Sequence, residues 1–214
     1  MISGAIITIF ALIVLLFSVI THELAHGYVA YSMGDPTAKY SGRLTLNPLK
    51  HLDPFGSFIL PMLLLLATGG QGPILGWAKP VPVNPYNFKD QKWGDVKVSF
   101  AGPGSNLLLA IIFGLILRLL PQGVFIAAPN LAVMLYYIVQ INVMLAMFNL
   151  LPIPPLDGSW ILFKLLGDSP VFEGAKIFLQ QYGMVILIFL LFFGGLGWFS
   201  GWISYVTFLI TGIG

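Results

Sequence analysis

Cysteine is absent from this chain, which excludes disulfide frameworks, Cys-based zinc sites and cysteine nucleophiles. Any transition metal must be held by the three histidines, by carboxylates, or by both. Charge is nearly as scarce. Only 8% of the 214 residues are Asp, Glu, Lys or Arg, against about 25% in an ordinary soluble domain. Hydrophobic residues make up 57%, and mean hydropathy is +0.91. So few charges cannot coat a water-facing surface, so a soluble globular protein is excluded and the lipid bilayer becomes the main solvent. The net charge of +2 is too small and too dispersed to suggest a nucleic-acid partner. Internal repeats and low-complexity linkers are lacking as well, and residues 1–214 read as a single membrane domain.

What the chain does have is long apolar runs. A bilayer could hold about six spans of ~20 residues in this length. Residues 2–33 read as one long helix, stopped by Gly34-Asp35-Pro36. This stretch has neither the basic n-region nor the small-residue cleavage site of a signal peptide, and is expected to stay in the protein. Phe55–Thr68, between Pro54 and Gly69-Gly70, is near the lower limit for a span and either crosses or re-enters. From Gly72 to Asn87, Pro80, Pro82 and Pro85 forbid a helix, which predicts an extended piece or an edge strand. Val98–Leu120 and Leu131–Leu151 are clear spans. Pro152, Pro154 and Pro155 then break the chain, and a short helix should restart at Asp157-Gly158-Ser159-Trp160. Phe178–Phe193 and Trp198–Ile213 make a final hairpin turned at Gly194, Gly195 and Gly197. The expected fold is an all-α, multi-pass bundle of about five to six membrane segments with a short re-entrant or extended β-like segment.

Orientation follows from the basic residues. None precedes the first helix, whereas Lys39, Arg43, Lys50, Lys79, Lys89, Lys92 and Lys97 all follow it before the next clear span. The positive-inside rule puts the N-terminus outside and residues 22–26 nearer the cytosol. Parity brings Asp157 to the same face, provided that Phe55–Thr68 does not change sides on its own.

His22-Glu23-Leu24-Ala25-His26 is an H-E-x-x-H pattern within the first apolar helix. Residues four apart share a helical face, so His22 and His26 can present ring nitrogens to one metal ion. Glu23 is near enough to act as general base on a bound water. Counting back from Met33 at ~1.5 Å per residue puts the pair roughly 10–17 Å below the helix end. Ionisable groups at such depth cost several kcal/mol unless paired, which marks them as functional. The bland alternative is a set of interhelical hydrogen bonds with Glu23 protonated. A catalytic zinc wants three protein ligands and one open position. Asp157, His51 and Asp53 are the candidates for the third. Asp157 could equally cap the helix it begins, and His51 could serve on the substrate side.

Taken together, these motifs resemble the site-2 protease family, the intramembrane zinc metalloproteases. The likeness rests on His22-Glu23-Leu24-Ala25-His26, on Phe100-Ala101-Gly102-Pro103-Gly104-Ser105-Asn106 at the start of a span, and on Asn149 through Leu156-Asp157-Gly158. Asn47-Pro48 to Asp53-Pro54 and Lys79-Pro80-Val81-Pro82-Val83-Asn84-Pro85 resemble a compact branch of it, without PDZ or CBS domain. The resemblance implies one zinc held by His22, His26 and Asp157, with Glu23 as catalytic base and acid. It also implies that Asn149 positions substrate or stabilises an oxyanion. The expected substrates are transmembrane segments of other proteins, cut in the cell membrane with water reaching the zinc from the cytosolic side. The extended segment near Trp77–Asn84 could hold an unwound substrate by strand addition. A zinc transporter or sensor, or an inactive homologue that binds segments without cutting them, are the alternatives.

Overall fold

Within lipid, backbone N–H and C=O groups find partners only in one another, so long apolar runs must fold as helices. A computed structural model describes residues 3–69, 76–167, 169–193 and 197–213. Its helices are α1 (Gly4–Ser32), α2 (Thr37–Tyr40), α3 (Leu60–Thr68), α4 (Gly94–Leu119), α5 (Gln122–Ala127), α6 (Pro129–Asn149), α7 (Asp157–Leu166), α8 (Pro170–Phe192) and α9 (Gly197–Thr211). Among the described residues α1, α4, α6 and α8 are long and apolar enough to cross a membrane. That gives four segments of span length, where the sequence suggested five to six. Phe55–Thr68 folds as a π-helical turn, Pro54–Ile59, running into α3. The 15 residues Pro54–Thr68 reach only about 22 Å, against roughly 30 Å of hydrocarbon. The expected turn at Gly194 and Gly195 lies outside the described residues, and Gly197 opens α9.

Helix α4 is the hub, packed against α1, α6, α7 and α9. Its buried positions Val98, Gly102, Asn106, Ala110 and Gly114 recur every fourth residue and form one stripe. Small side chains there let neighbouring helices approach, because packing rather than hydrophobicity drives association in lipid. Ala110 meets Val139 and Val143 of α6 in a core closed by Phe113, Met147, Ile203, Val206 and Ile210. A second cluster joins Ala30 of α1, Phe88 and Val98.

The tail of α1 is fastened to residues 84–89 by one carboxylate. Asp35 is fully buried and accepts hydrogen bonds from the Thr37 hydroxyl and N–H, from Asn84 N–H at 2.7 Å and from Asn87 Nδ2 at 2.8 Å. Burial opposes its charge, but these four donors outweigh that and hold its carboxyl below the ordinary Asp range. Lys89 N–H adds a bond to Met33 O at 2.8 Å.

Residues 76–84 form neither helix nor ladder, and no strand is present among the described residues. Alternate N–H groups go to three separate acceptors. Trp77 donates to Gly56 O at 3.1 Å, Lys79 to His51 O at 2.8 Å, and Val81 to Glu23 Oε2 at 2.8 Å. Pro80 and Pro82 have no N–H to offer. The segment is therefore laid across the π-helical turn, the His51 loop and the H-E-x-x-H helix in succession.

Candidate active site

The site forms where α1, α4 and α7 meet. His22 and His26 occupy one face of α1, with ring centroids 4.7 Å apart and the rings edge to face. Both are at least nine-tenths buried. Asp157, at the start of α7, brings Oδ2 to 3.1 Å from His22 Nε2 and 3.3 Å from His26 Nε2. The alternative of a helix cap is not realised: Leu156 is the N-cap residue, and Asp157 makes no capping hydrogen bond. Gly158 is what lets this helix start so close to the end of α6. A Cβ there would lie 2.2 Å from the Leu150 carbonyl oxygen.

The remaining ring nitrogens fix the chemistry of this cluster. His26 Nδ1 lies 2.6 Å from Val98 O, which can only accept, so Nδ1 carries a hydrogen, and in the neutral ring Nε2 presents a lone pair. His22 Nδ1 lies 2.7 Å from Asn106 Oδ1. Asp157 Oδ2 is buried without a hydrogen-bond donor. With both rings neutral, two imidazole lone pairs and a carboxylate oxygen converge here, an arrangement relieved by a shared cation or by a proton on an imidazole. Corners of a tetrahedron about a zinc bound at 2.0–2.1 Å would be roughly 3.3 Å apart, close to the spacing seen. Across from the histidines, α4 contributes Gly102. A Cβ at that position would be 2.4 Å from His26 Nε2 and 2.5 Å from His22 Nε2. The space between the donors is kept open by the lack of a side chain. His22, His26 and Asp157 are the cluster of metal-ligating side chains found among the described residues.

Glu23 is one step round α1, and its Oε2 is held by Val81 N–H. It lines a cavity of about 1220 Å³ together with His22, His26 and Asp157. Apolar side chains make up much of the wall, including Leu15, Phe148 and Trp160.

The two other residues singled out from the sequence also line this cavity. Asn149, at the end of α6, turns its Nδ2 to Leu145 O at 2.9 Å. His51 is 1% exposed, and its Nε2 pairs with Thr45 O at 2.8 Å. Its Nδ1 is buried without a partner, and it is not part of the metal-ligating cluster. Asp53, the remaining rival as ligand, instead caps the π-helical turn, accepting from Gly56 N–H at 2.7 Å. Sequence reasoning quoted Asn106 within a motif but gave it no role, and passed over Asn142 and Ser18. The usable signal was polar amides inside otherwise apolar spans, which tend to act as interhelical glue.

A helical membrane scaffold with an H-E-x-x-H face completed by a distant aspartate defines a class, and comparison with known sequences agrees. Peptidase family M50 matches residues 10–129 and 123–190, and the chain belongs to that family. It is 42% identical over 197 residues to "Putative zinc metalloprotease YwhC" of Bacillus subtilis, covering 90% of this chain and 84% of that one. To "Putative zinc metalloprotease Rip2" of Mycobacterium tuberculosis strain H37Rv it is 34% identical over 199 residues, covering 92% and 72%. To "Zinc metalloprotease MJ0392" of Methanocaldococcus jannaschii it is 28% identical over 184 residues, covering 86% and 42%. No solved structure matches the chain.

Proposed function

We propose that residues 1–214 form one intramembrane zinc endopeptidase domain that hydrolyses peptide bonds within transmembrane segments of other membrane proteins. The observation that carries this reading is the convergence of His22 Nε2, His26 Nε2 and Asp157 Oδ2 beside Glu23, on a helix long and apolar enough to span a bilayer. The names of the relatives supply zinc as the metal and proteolysis as the reaction. His22, His26 and Asp157 are the ligands in this reading.

A zinc so held would act as Lewis acid on the attacking water and on the scissile carbonyl. The chain's own residues do the rest. Val81 N–H anchors one oxygen of Glu23 and leaves the other free to take a proton. Glu23 removes that proton from the attacking water and returns it to the leaving amine. Asn149 and His51, in the wall of the same cavity, are placed on the substrate side, where an amide and an imidazole can hydrogen-bond an exposed peptide. A helical substrate must unwind before attack, since its scissile amide is otherwise shielded by its own hydrogen bonds. Residues Trp77 to Val83 run along the cavity and give the unwound segment an edge to lie against. Short α3, with its π-helical turn, is the re-entrant piece. The protein belongs in the cell membrane, with the site nearer the cytosol, because seven basic residues lie between α1 and the core of α4.

Glu23→Gln tests the mechanism. Loss of the general base should reduce cleavage of a transmembrane substrate by about 10²–10⁴-fold, while zinc content stays at one per chain. Cleavage by the Gln variant at the parental rate would reject the mechanism. A metal carrier or a non-cutting binder would show no cleavage by the parent either.

A further inference from the structure

Behind His22 lies a hydrogen-bonded chain that crosses three helices and is buried throughout. His22 Nδ1 meets Asn106 Oδ1 at 2.7 Å. Asn106 Nδ2 donates to Ser18 O at 3.2 Å and to Asn142 Oδ1 at 3.0 Å. Asn142 Nδ2 donates in turn to Ser18 Oγ at 3.0 Å and to Ile138 O at 2.9 Å. Asn106 is 0% exposed and Asn142 1%.

This network has one consistent polarity. The carbonyls of Ile138 and Ser18 can only accept. Ile138 O therefore fixes which end of the Asn142 amide is nitrogen, and its Oδ1 must face Asn106. Ser18 O fixes the Asn106 amide in the same sense. Both hydrogens of Asn106 Nδ2 are then spent, and only its Oδ1 is left for the histidine. His22 must put a hydrogen on Nδ1, which in the neutral ring leaves Nε2 as the lone pair aimed at Asp157 and Gly102. An isolated imidazole has a choice of tautomer, and this one has none. Val98 O does the same for His26 with a single backbone bond, whereas His22 depends on a side chain that is itself anchored to the backbone at Ser18 O.

We propose that Asn106 is a positioning residue of the metal centre, fixing the tautomer and ring orientation of His22, with Asn142 orienting Asn106 from α6. The proposal rests on His22 being a ligand. Outer-sphere partners of this kind change metal affinity by 10–100-fold when removed.

The test uses the full chain in detergent, with zinc affinity measured by chelator competition and the imidazole nitrogens observed by ¹⁵N NMR of the zinc-free protein. With three histidines in the chain, His22→Ala identifies the His22 signals and checks the ligand reading itself. Asn106→Leu removes the acceptor. It should weaken zinc binding by about 10–100-fold and move the His22 hydrogen away from Nδ1, with His26 unchanged. Asn106→Asp keeps an acceptor but loses both donor bonds. It should lower the melting temperature, yet hold zinc within about threefold of the parent and keep the Nδ1–H signal, since the acceptor is what the imidazole needs. A merely structural asparagine would make the two variants equally poor at binding zinc. If Asn106→Leu does not fold, Asn142→Ala takes its place, with several-fold weaker zinc binding expected. Parental zinc affinity together with an unchanged Nδ1–H signal in Asn106→Leu, or in Asn142→Ala where it stands in, would overturn the proposal. So would equal zinc loss in Asn106→Leu and Asn106→Asp. Parental zinc binding by His22→Ala would instead reject His22 as ligand, and the nitrogen spectrum would still decide whether Asn106 sets its tautomer.

Discussion

The two halves of α1 read alike as apolar sequence and relate to the protein in opposite ways. From Gly4 through Phe17 no residue is buried. From Ser18 onward Ser18, Ile20, His22, Leu24, His26, Gly27 and Ala30 are. The first half is turned mainly to the lipid, with Leu12, Leu15 and Leu16 reaching the cavity wall, and its side chains need only be apolar. In the second half the polar groups of the site have partners: Ser18 with the two asparagines, His22 with Asn106, Glu23 with Val81, and His26 with Val98. Hydropathy therefore identifies the solvent, whereas polar side chains inside the apolar run identify the machinery.

That contrast can be pressed hardest at the two ends of the glycine range. Gly102 faces the buried half, and Gly102→Val would put atoms where the donor nitrogens converge. Zinc affinity should fall by more than about 100-fold, beyond the 10–100-fold of an outer-sphere change. Gly4→Val, with nothing within 4 Å of its added Cβ, should leave zinc binding unaltered. Equal metal content in the two variants would erase the distinction.

A smaller effect is expected at Asp35, which fastens the buried half to residues 84–89. Asp35→Asn replaces an acceptor with a donor among four donors and should cost about 1–3 kcal/mol, read as a lower melting temperature at neutral pH. The sign with pH follows from the depressed carboxyl. Its stabilisation is fully present above the ordinary Asp value of 3.8 and is lost as pH falls through the lower folded value. The difference in melting temperature between parent and variant should shrink on acidification, and a difference that widened would contradict the assignment. The smallest effect belongs to the lipid half. Ile9 is 59% exposed, and Ile9→Ala should change stability by no more than about 0.5 kcal/mol and cleavage not at all.

Sequence reasoning found what is periodic or local. The four long helices follow from apolar runs bounded by glycine and proline, and the H-E-x-x-H face follows from helical spacing alone. Asp157 was a candidate because it follows a proline break and parity brings it to the same side. What pairs distant, unremarkable residues stayed out of reach. Asn106 and Asn142 are single amides 36 residues apart with no shared motif, and only the packing of α4 on α6 joins them. The edge strand expected near residues 77–84 failed for a similar reason. A ladder needs one neighbouring strand, and the sequence could not reveal that its donors go to a turn, a loop and a carboxylate instead. The π-helical turn at Pro54 and the short α5 left no periodic trace.

The donor set has a topological meaning as well as a chemical one. His26 and Asp157 are separated by about 130 residues, a loop that contains all of α4 and α6. A cation bound at both ends closes that loop, as a cross-link would, and the entropy of closure grows only slowly with such length. In the proposed reading the metal centre is thus also a clasp. It ties α7, a helix of ten residues joined to the bundle by a proline-broken turn, to the helix that begins the fold. Removing the cation should loosen α7, which its packing on α4 still holds, before it disturbs α4 and α6, so in the proposed reading the metal ligands also help to fasten the fold.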